Sequence, residues 1–126
     1  MHKKAAIIGL AALICGVVFL GKPAATPQQD DKAFLDQSAK QWDLLNTYCV
    51  KCHNSTIKTG GIAFNTMRPE DVAKNAETWE KVVRKLRGRM MPPPGNQRPD
   101  DGKYDSFVAW MEGYLDHAAS ASPDPG

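Results

Sequence analysis

Residues 48–53 read Tyr48-Cys49-Val50-Lys51-Cys52-His53, and residues 90–95 read Met90-Met91-Pro92-Pro93-Pro94-Gly95. The first stretch is C-x-x-C-H, the attachment sequence of c-type haem. Two thiols three residues apart can add to the two vinyl groups on one edge of a porphyrin. The imidazole beside the second thioether then sits under the iron. Three other readings compete. One is a Cys49–Cys52 disulfide in an oxidising compartment. A thioredoxin-like redox pair would need a βαβ context, and strand-like alternation is essentially absent. A structural zinc site would need more ligands, but there is no second cysteine pair, and His117 is the only further histidine outside the N-terminal segment. The haem reading is favoured because the motif closes an amphipathic helix and follows an export-like segment.

Upstream, Leu35, Ala39, Trp42, Leu45 and Tyr48 or Cys49 recur at three- and four-residue steps, which predicts a helix over 32–48. Downstream, residues 54–68 are rich in Gly, Thr and Asn and read as loop, with an apolar plug at Ile62 to Phe64. Pro69 with Glu70 and Asp71 predicts a short helix to about Lys74. Asn75 is a good N-cap for a helix over 76–87 whose apolar face is Trp79, Val82, Val83 and Leu86. Gly88 can end that helix in the left-handed conformation. Residues 88–99 carry four prolines and cannot be regular. Pro99, Asp100 and Asp101 open a last helix to about Ala118, with a stripe of Tyr104, Phe107, Val108, Trp110 or Met111, Tyr114 and Leu115. The expected fold is all-α, with three main helices and long loops in a domain over 32–118. So small a core for so much loop implies a cofactor at its centre.

The N-terminus reads as an address. His2, Lys3 and Lys4 precede an uncharged run, Ala5 to Leu20. As a helix that run spans about 24 Å, short of a hydrocarbon core of roughly 30 Å. Residues 1–25 are therefore read as a cleaved secretory signal, with an uncleaved N-terminal anchor as the alternative because Pro23 makes the cleavage site poor. Cys15 reads as a small apolar residue within this run. Residues 26–31 read as a linker and 119–126 as a disordered tail.

The chain has 126 residues, which allows one domain. Its 42% hydrophobic and 24% charged content is too apolar for a disordered chain. Taking Lys3, Lys4 and Lys22 from the 16 basic residues leaves 13 against 14 acidic ones, so the net charge of +2 is borrowed from the address segment. No nucleic-acid partner is expected on that balance. Three cysteines exclude a disulfide-dense scaffold.

A haem iron bound by His53 needs a second ligand or an open position. Met111 falls on an apolar helix face and Met67 in a loop without further signal. Met90 and Met91 are held in a proline-stiffened loop, and a soft thioether suits low-spin haem iron.

The order helix, C-x-x-C-H, loop, helix, Met-Pro loop, C-terminal helix resembles the class I cytochrome c family over residues 32–118. The stretches YCVKCHNSTIKTGG and WEKVVRKLRGRMMPPPG are similar to the small cytochrome c-like domain of larger exported bacterial proteins. Because the chain stops after this domain, their neighbouring module is not expected in it. The resemblance implies one haem c, covalent through Cys49 and Cys52, with His53 as proximal ligand. It implies Met91 as distal ligand, since the family's Met commonly stands directly before Pro, with Met90 in reserve. It also implies contact between Trp42 or Leu45 and Phe107, Trp110 or Met111 where the terminal helices cross. Many members carry a proline after the motif whose carbonyl accepts the proximal histidine N–H; here Lys58 to Gly61 stand instead, and a carbonyl among them is expected to serve.

Trp79 is read as core packing, with a propionate hydrogen bond as the alternative. Arg84, Lys85, Arg87 and Arg89 have three readings: a solvated face, propionate partners, or a basic rim that docks an acidic-faced redox protein. His117 is read as a cation favoured near a helix C-terminus, not as an iron ligand. The resemblance thus implies a periplasmic one-electron carrier that is not an enzyme. Its rivals are a fixed electron-transfer subunit of an exported dehydrogenase or oxidase, an open-site sensor or peroxidase, and a haem-free disulfide module.

Overall fold

The computed structural model describes residues 27–122; the address segment expected at 1–25 lies outside them, as do residues 123–126. Three helices carry the fold: α1 (Pro27–Tyr48), α2 (Ala76–Arg87) and α3 (Asp101–Ala121). Four 3₁₀ turns link α1 to α2, at Thr59–Gly61, Phe64–Thr66, Pro69–Asp71 and Ala73–Asn75. There is no strand among the described residues.

Helix α1 takes in residues 27–31, expected as linker, as well as the expected 32–48. The buried face also differs from the expected one. Ala39 is exposed, while Ser38 and Gln41 are buried beside Leu45. Counting only apolar residues selected Ala39. Ser38 tolerates burial because its hydroxyl donates to the Leu35 carbonyl at 2.6 Å.

Helices α1 and α3 cross where Gly113 leaves room for a ring. A Cβ at Gly113 would stand 3.3 Å from Cε1 of Phe34. The Phe34 ring lies parallel to Tyr114, with centroids 5.1 Å apart, and Trp110 Nε1 donates to the Phe34 carbonyl at 3.1 Å. The expected contact between the terminal helices is present as Trp42 meeting Trp110 edge-on at 6.1 Å.

The helix expected over 69–74 is two separate 3₁₀ turns, between which Val72 is fully buried. Asn75 makes no side-chain cap to α2; its amide donates instead to the Asp71 carbonyl at 2.8 Å. The α2 face of Trp79, Val83 and Leu86 is buried as the spacing predicts. The end of α2 is a Schellman closure shifted by one residue. Gly88 has φ −74°, and Arg89 takes the left-handed conformation at φ 52°. The Arg89 amide donates to Leu86 O at 2.8 Å and the Met90 amide to Lys85 O at 2.9 Å. Asp100 caps α3 by accepting from the Lys103 amide at 2.9 Å. That helix continues to Ala121, so residues 119–121 are not tail.

The core is centred on Trp79, Phe107, Leu45, Met111 and Val72. One forked ion pair ties α2 to α3: Arg87 Nε and Nη2 donate to the two carboxylate oxygens of Glu112, the second at 2.7 Å. The guanidinium holds the Glu112 carboxyl below the usual glutamate range. A carboxyl depressed in the folded state adds stability above its unfolded pKa and loses it as pH falls through the folded value. Glu112→Gln should therefore flatten the acid limb of stability against pH below the ordinary glutamate value of about 4.3, read from urea midpoints. A limb as steep as the wild type's would place the acid sensitivity elsewhere. Trp110→Phe, which removes only the bond to Phe34 O and part of the ring, should cost about 1 kcal/mol with an unchanged denaturant slope.

Candidate functional site

A cavity of about 380 Å³ opens between the end of α1, the loop after it, α2 and residues 91–99. Cofactor pockets commonly fall between about 300 and 1,000 Å³. Its lining brings together Cys49, Cys52, His53 and Met91, with Leu45 and Phe107 among the apolar walls.

The C-x-x-C-H segment continues α1 as a turn. The Cys49 amide donates to Leu45 O at 2.9 Å, and the His53 amide to Cys49 O at 3.0 Å. Asn54 then reverses the chain: its side-chain oxygen accepts from the Thr56 and Ile57 amides, each at 2.9 Å, and its amide donates to Val50 O at 2.9 Å. Lys58, Gly60 and Gly61 follow with φ of 49°, 65° and 77°. This run of left-handed residues, cheap at the two glycines, turns the Thr59 carbonyl back onto His53.

His53 Nδ1 lies 2.8 Å from Thr59 O. A carbonyl only accepts, so Nδ1 carries the ring proton and Nε2 keeps the electron pair that a metal needs. Thr59 thus fills the place of the absent proline carbonyl. The Phe64 amide donates to His53 O at 2.9 Å, and the Phe64 ring meets the imidazole at 5.4 Å.

Cys49 is half-buried and Cys52 exposed, and neither is joined in a disulfide. Burial pushes the Cys49 thiol up to about 11. A sulfur in that position is neutral at pH 7, and a thioether, which carries no charge, suits it. Among the described residues no group of three or more His, Cys, Asp or Glu side chains is placed to hold a metal ion. The zinc reading therefore lacks a ligand set.

The two methionines part company. Met91 is half-buried in the cavity lining, whereas Met90 is 53% exposed and outside it. Tyr104, on α3, spans the base of the Met91 segment. Its hydroxyl lies 2.6 Å from Met91 O and 2.8 Å from Leu86 O, donating between them. Sequence reading placed Tyr104 only in an apolar stripe. The available signal was the hydroxyl itself, since a buried tyrosine needs a partner for it.

Trp79, Arg84 and Arg87 do not line the cavity. Trp79 is fully buried and stacks on Phe64 at 5.3 Å. Its Nε1–H has no acceptor among the described residues. Arg84 lies 3.8 Å from Glu80, Arg87 is forked onto Glu112, and Arg89 bonds Asp101 and Asp105. Three of the four residues read as a basic rim are thus paired with carboxylates. The cations that do line the cavity are Lys51, Lys81 and Lys85. Lys81 is shared with Glu77 at 2.6 Å.

The donor chemistry fits a c-type haem: two sulfurs at one wall, an imidazole with Nε2 available, a thioether, and apolar surfaces between them. No helix among the described residues is long and apolar enough to cross a membrane. No curated protein and no solved structure is significantly similar to the chain. A family model described as cytochrome C oxidase, cbb3-type, subunit III matches residues 36–111, which is well over half of the chain and runs from α1 past the motif and the Met-Pro loop into α3. That span holds every element that builds the cavity, and the family implies covalent haem c and haem-based electron transfer. The chain belongs to the cytochrome c oxidase, cbb3-type, subunit III family, as an all-α class I cytochrome c domain.

Proposed function

We propose that this chain is an exported mono-haem c-type cytochrome that carries single electrons between redox proteins. Cys49 and Cys52 would hold the haem through thioethers, His53 Nε2 would be the proximal iron ligand and Met91 the distal one. The observation that carries this reading is the placement of His53, with its Nδ1 proton fixed on Thr59 O, in one cavity with both cysteines and Met91, while Met90 stands outside. When bound, the haem iron supplies the one-electron step between Fe(III) and Fe(II).

The residues of the chain do the rest. The Thr59 carbonyl fixes the imidazole tautomer and raises its basicity as a ligand. Tyr104 anchors the Met91 carbonyl. Leu45, Phe64 and Phe107 keep water from the cavity walls. Lys51, Lys81 and Lys85 give the cavity mouth a positive rim that would steer an acidic-faced partner into a small, short-lived contact.

The family match favours a second arrangement, in which the same domain is a fixed subunit feeding an exported oxidase. The two differ in fractionation. A free carrier leaves the cell with the periplasmic contents, and a fixed subunit sediments with membranes and co-purifies with larger subunits.

Optical spectra of protein matured with the c-type attachment machinery test the reading. We expect a low-spin ferric spectrum with the weak red charge-transfer band of Met–iron ligation. Met91→Ala should abolish that band and Met90→Ala should leave it. Survival of the band in Met91→Ala would move the ligand to Met90. Ready binding of carbon monoxide by the reduced wild type would mean an open iron and replace the carrier with a sensor or enzyme.

A further inference from the structure

We infer that Arg89 is a positioning residue for the distal ligand, locking the direction in which the chain leaves α2 so that Met91 is presented to the cavity. The inference rests on the reading of Met91 as the distal iron ligand.

Three observations converge on Arg89. The first is its backbone. In a Schellman closure the left-handed residue is usually glycine, which takes that conformation without steric cost. Here a glycine is present but stands one residue early, and Arg89 adopts φ 52° in its place. The choice of an L side chain at that position asks for something the side chain does. The second is what the guanidinium touches. Arg89 Nη2 lies 2.7 Å from Asp105 and Nη1 3.3 Å from Asp101, both on the first turns of α3. The guanidinium carbon sits 4.1 Å above the Tyr104 ring. The third is the Arg89 carbonyl, which accepts from Arg98 Nη2 at 3.1 Å and so closes residues 89–98 into a loop.

The Tyr104 hydroxyl holds the Met91 carbonyl from below, and Arg89 covers the same ring from above. Each of the ion pairs is largely exposed, and pairs of that kind add little to global stability. Their joint effect is on direction. With the guanidinium fixed to α3 the αL turn is held, the Met90 amide stays on Lys85 O, and the next residue enters the cavity. Lysine cannot replace it, because it lacks both the planar fork and the flat face. Arg87 makes a similar α2–α3 pair about two turns further along α3, at Glu112, with none of these links to Met91.

The test compares ferric holoproteins by the rate at which added imidazole displaces the distal ligand. Arg89→Gln should raise that rate roughly tenfold, the lower end of what loss of an outer-shell partner gives. It should weaken the red charge-transfer band while leaving the far-UV dichroism melt near that of wild type. Tyr104→Phe should act in the same direction, Arg89→Lys should not restore the wild-type rate, and Arg87→Gln should leave it unchanged. If Arg89→Gln yields too little holoprotein, Asp105→Asn removes the shorter ion pair and should raise the rate as well. A wild-type rate in Arg89→Gln and Asp105→Asn, or an equal rise in Arg87→Gln, overturns the inference. If Met91→Ala keeps the band, the ligand reading itself fails, and the inference with it.

Discussion

Helix α3 has to satisfy three neighbours with one face, and the rest of the molecule is arranged around that demand. Its first turns face the Met91 segment through Tyr104, its middle packs Phe107 and Trp110 against the cavity and α1, and its later turns offer Gly113 and Tyr114 to Phe34. A helix that served only one partner would need a narrower stripe. Here Trp110 and Met111 are buried together, where an amphipathic surface helix would expose one of them. The polar atoms brought in with the aromatic rings are spent on joining elements: Trp110 Nε1 bonds α1, and the Tyr104 hydroxyl bonds the end of α2 and the Met91 segment. The walls of the cavity stand where they do because α3 is pinned at both ends.

The parts of this arrangement that sequence exposes are those encoded by local spacing. C-x-x-C-H is a chemical pattern, the stripes of α2 and α3 are periodic, and Met-Pro-Pro-Pro is stiff whatever surrounds it. The parts that sequence hides depend on partners far along the chain. Ala39 and Gln41 trade burial because neighbouring elements, not local hydropathy, choose which side of α1 turns inward. The left-handed residue after α2 is Arg89 although Gly88 is better suited locally, since Asp101 and Asp105 reach only Arg89. The carbonyl that receives the His53 proton could be narrowed to a four-residue window, but Thr59 is selected by the φ angles of Lys58, Gly60 and Gly61 together.

The basic run of α2 shows the same limit for charge. Arg84, Lys85, Arg87 and Arg89 look like one positive surface when read along the chain. In the fold, Arg84 is met by Glu80 within its own helix, and Arg87 and Arg89 by acids of α3. What is left at the cavity mouth is a smaller set, Lys51 after α1 and Lys85 on α2, since Lys81 beside them is shared with Glu77. A field that steers a partner is a property of what remains unpaired, which no count of residues along a segment gives.

All three tryptophans of the chain touch one another in a row, Trp79 to Trp42 at 5.6 Å and Trp42 to Trp110 at 6.1 Å. The first of them stacks on Phe64, which forms part of the cavity wall. The chain's entire indole emission therefore arises from one place, within a few side chains of the cavity. A strongly absorbing pigment seated there would drain that light by resonance transfer, and its loss or misplacement would restore it. The fold carries its own gauge of occupancy, readable in a fluorimeter without a label.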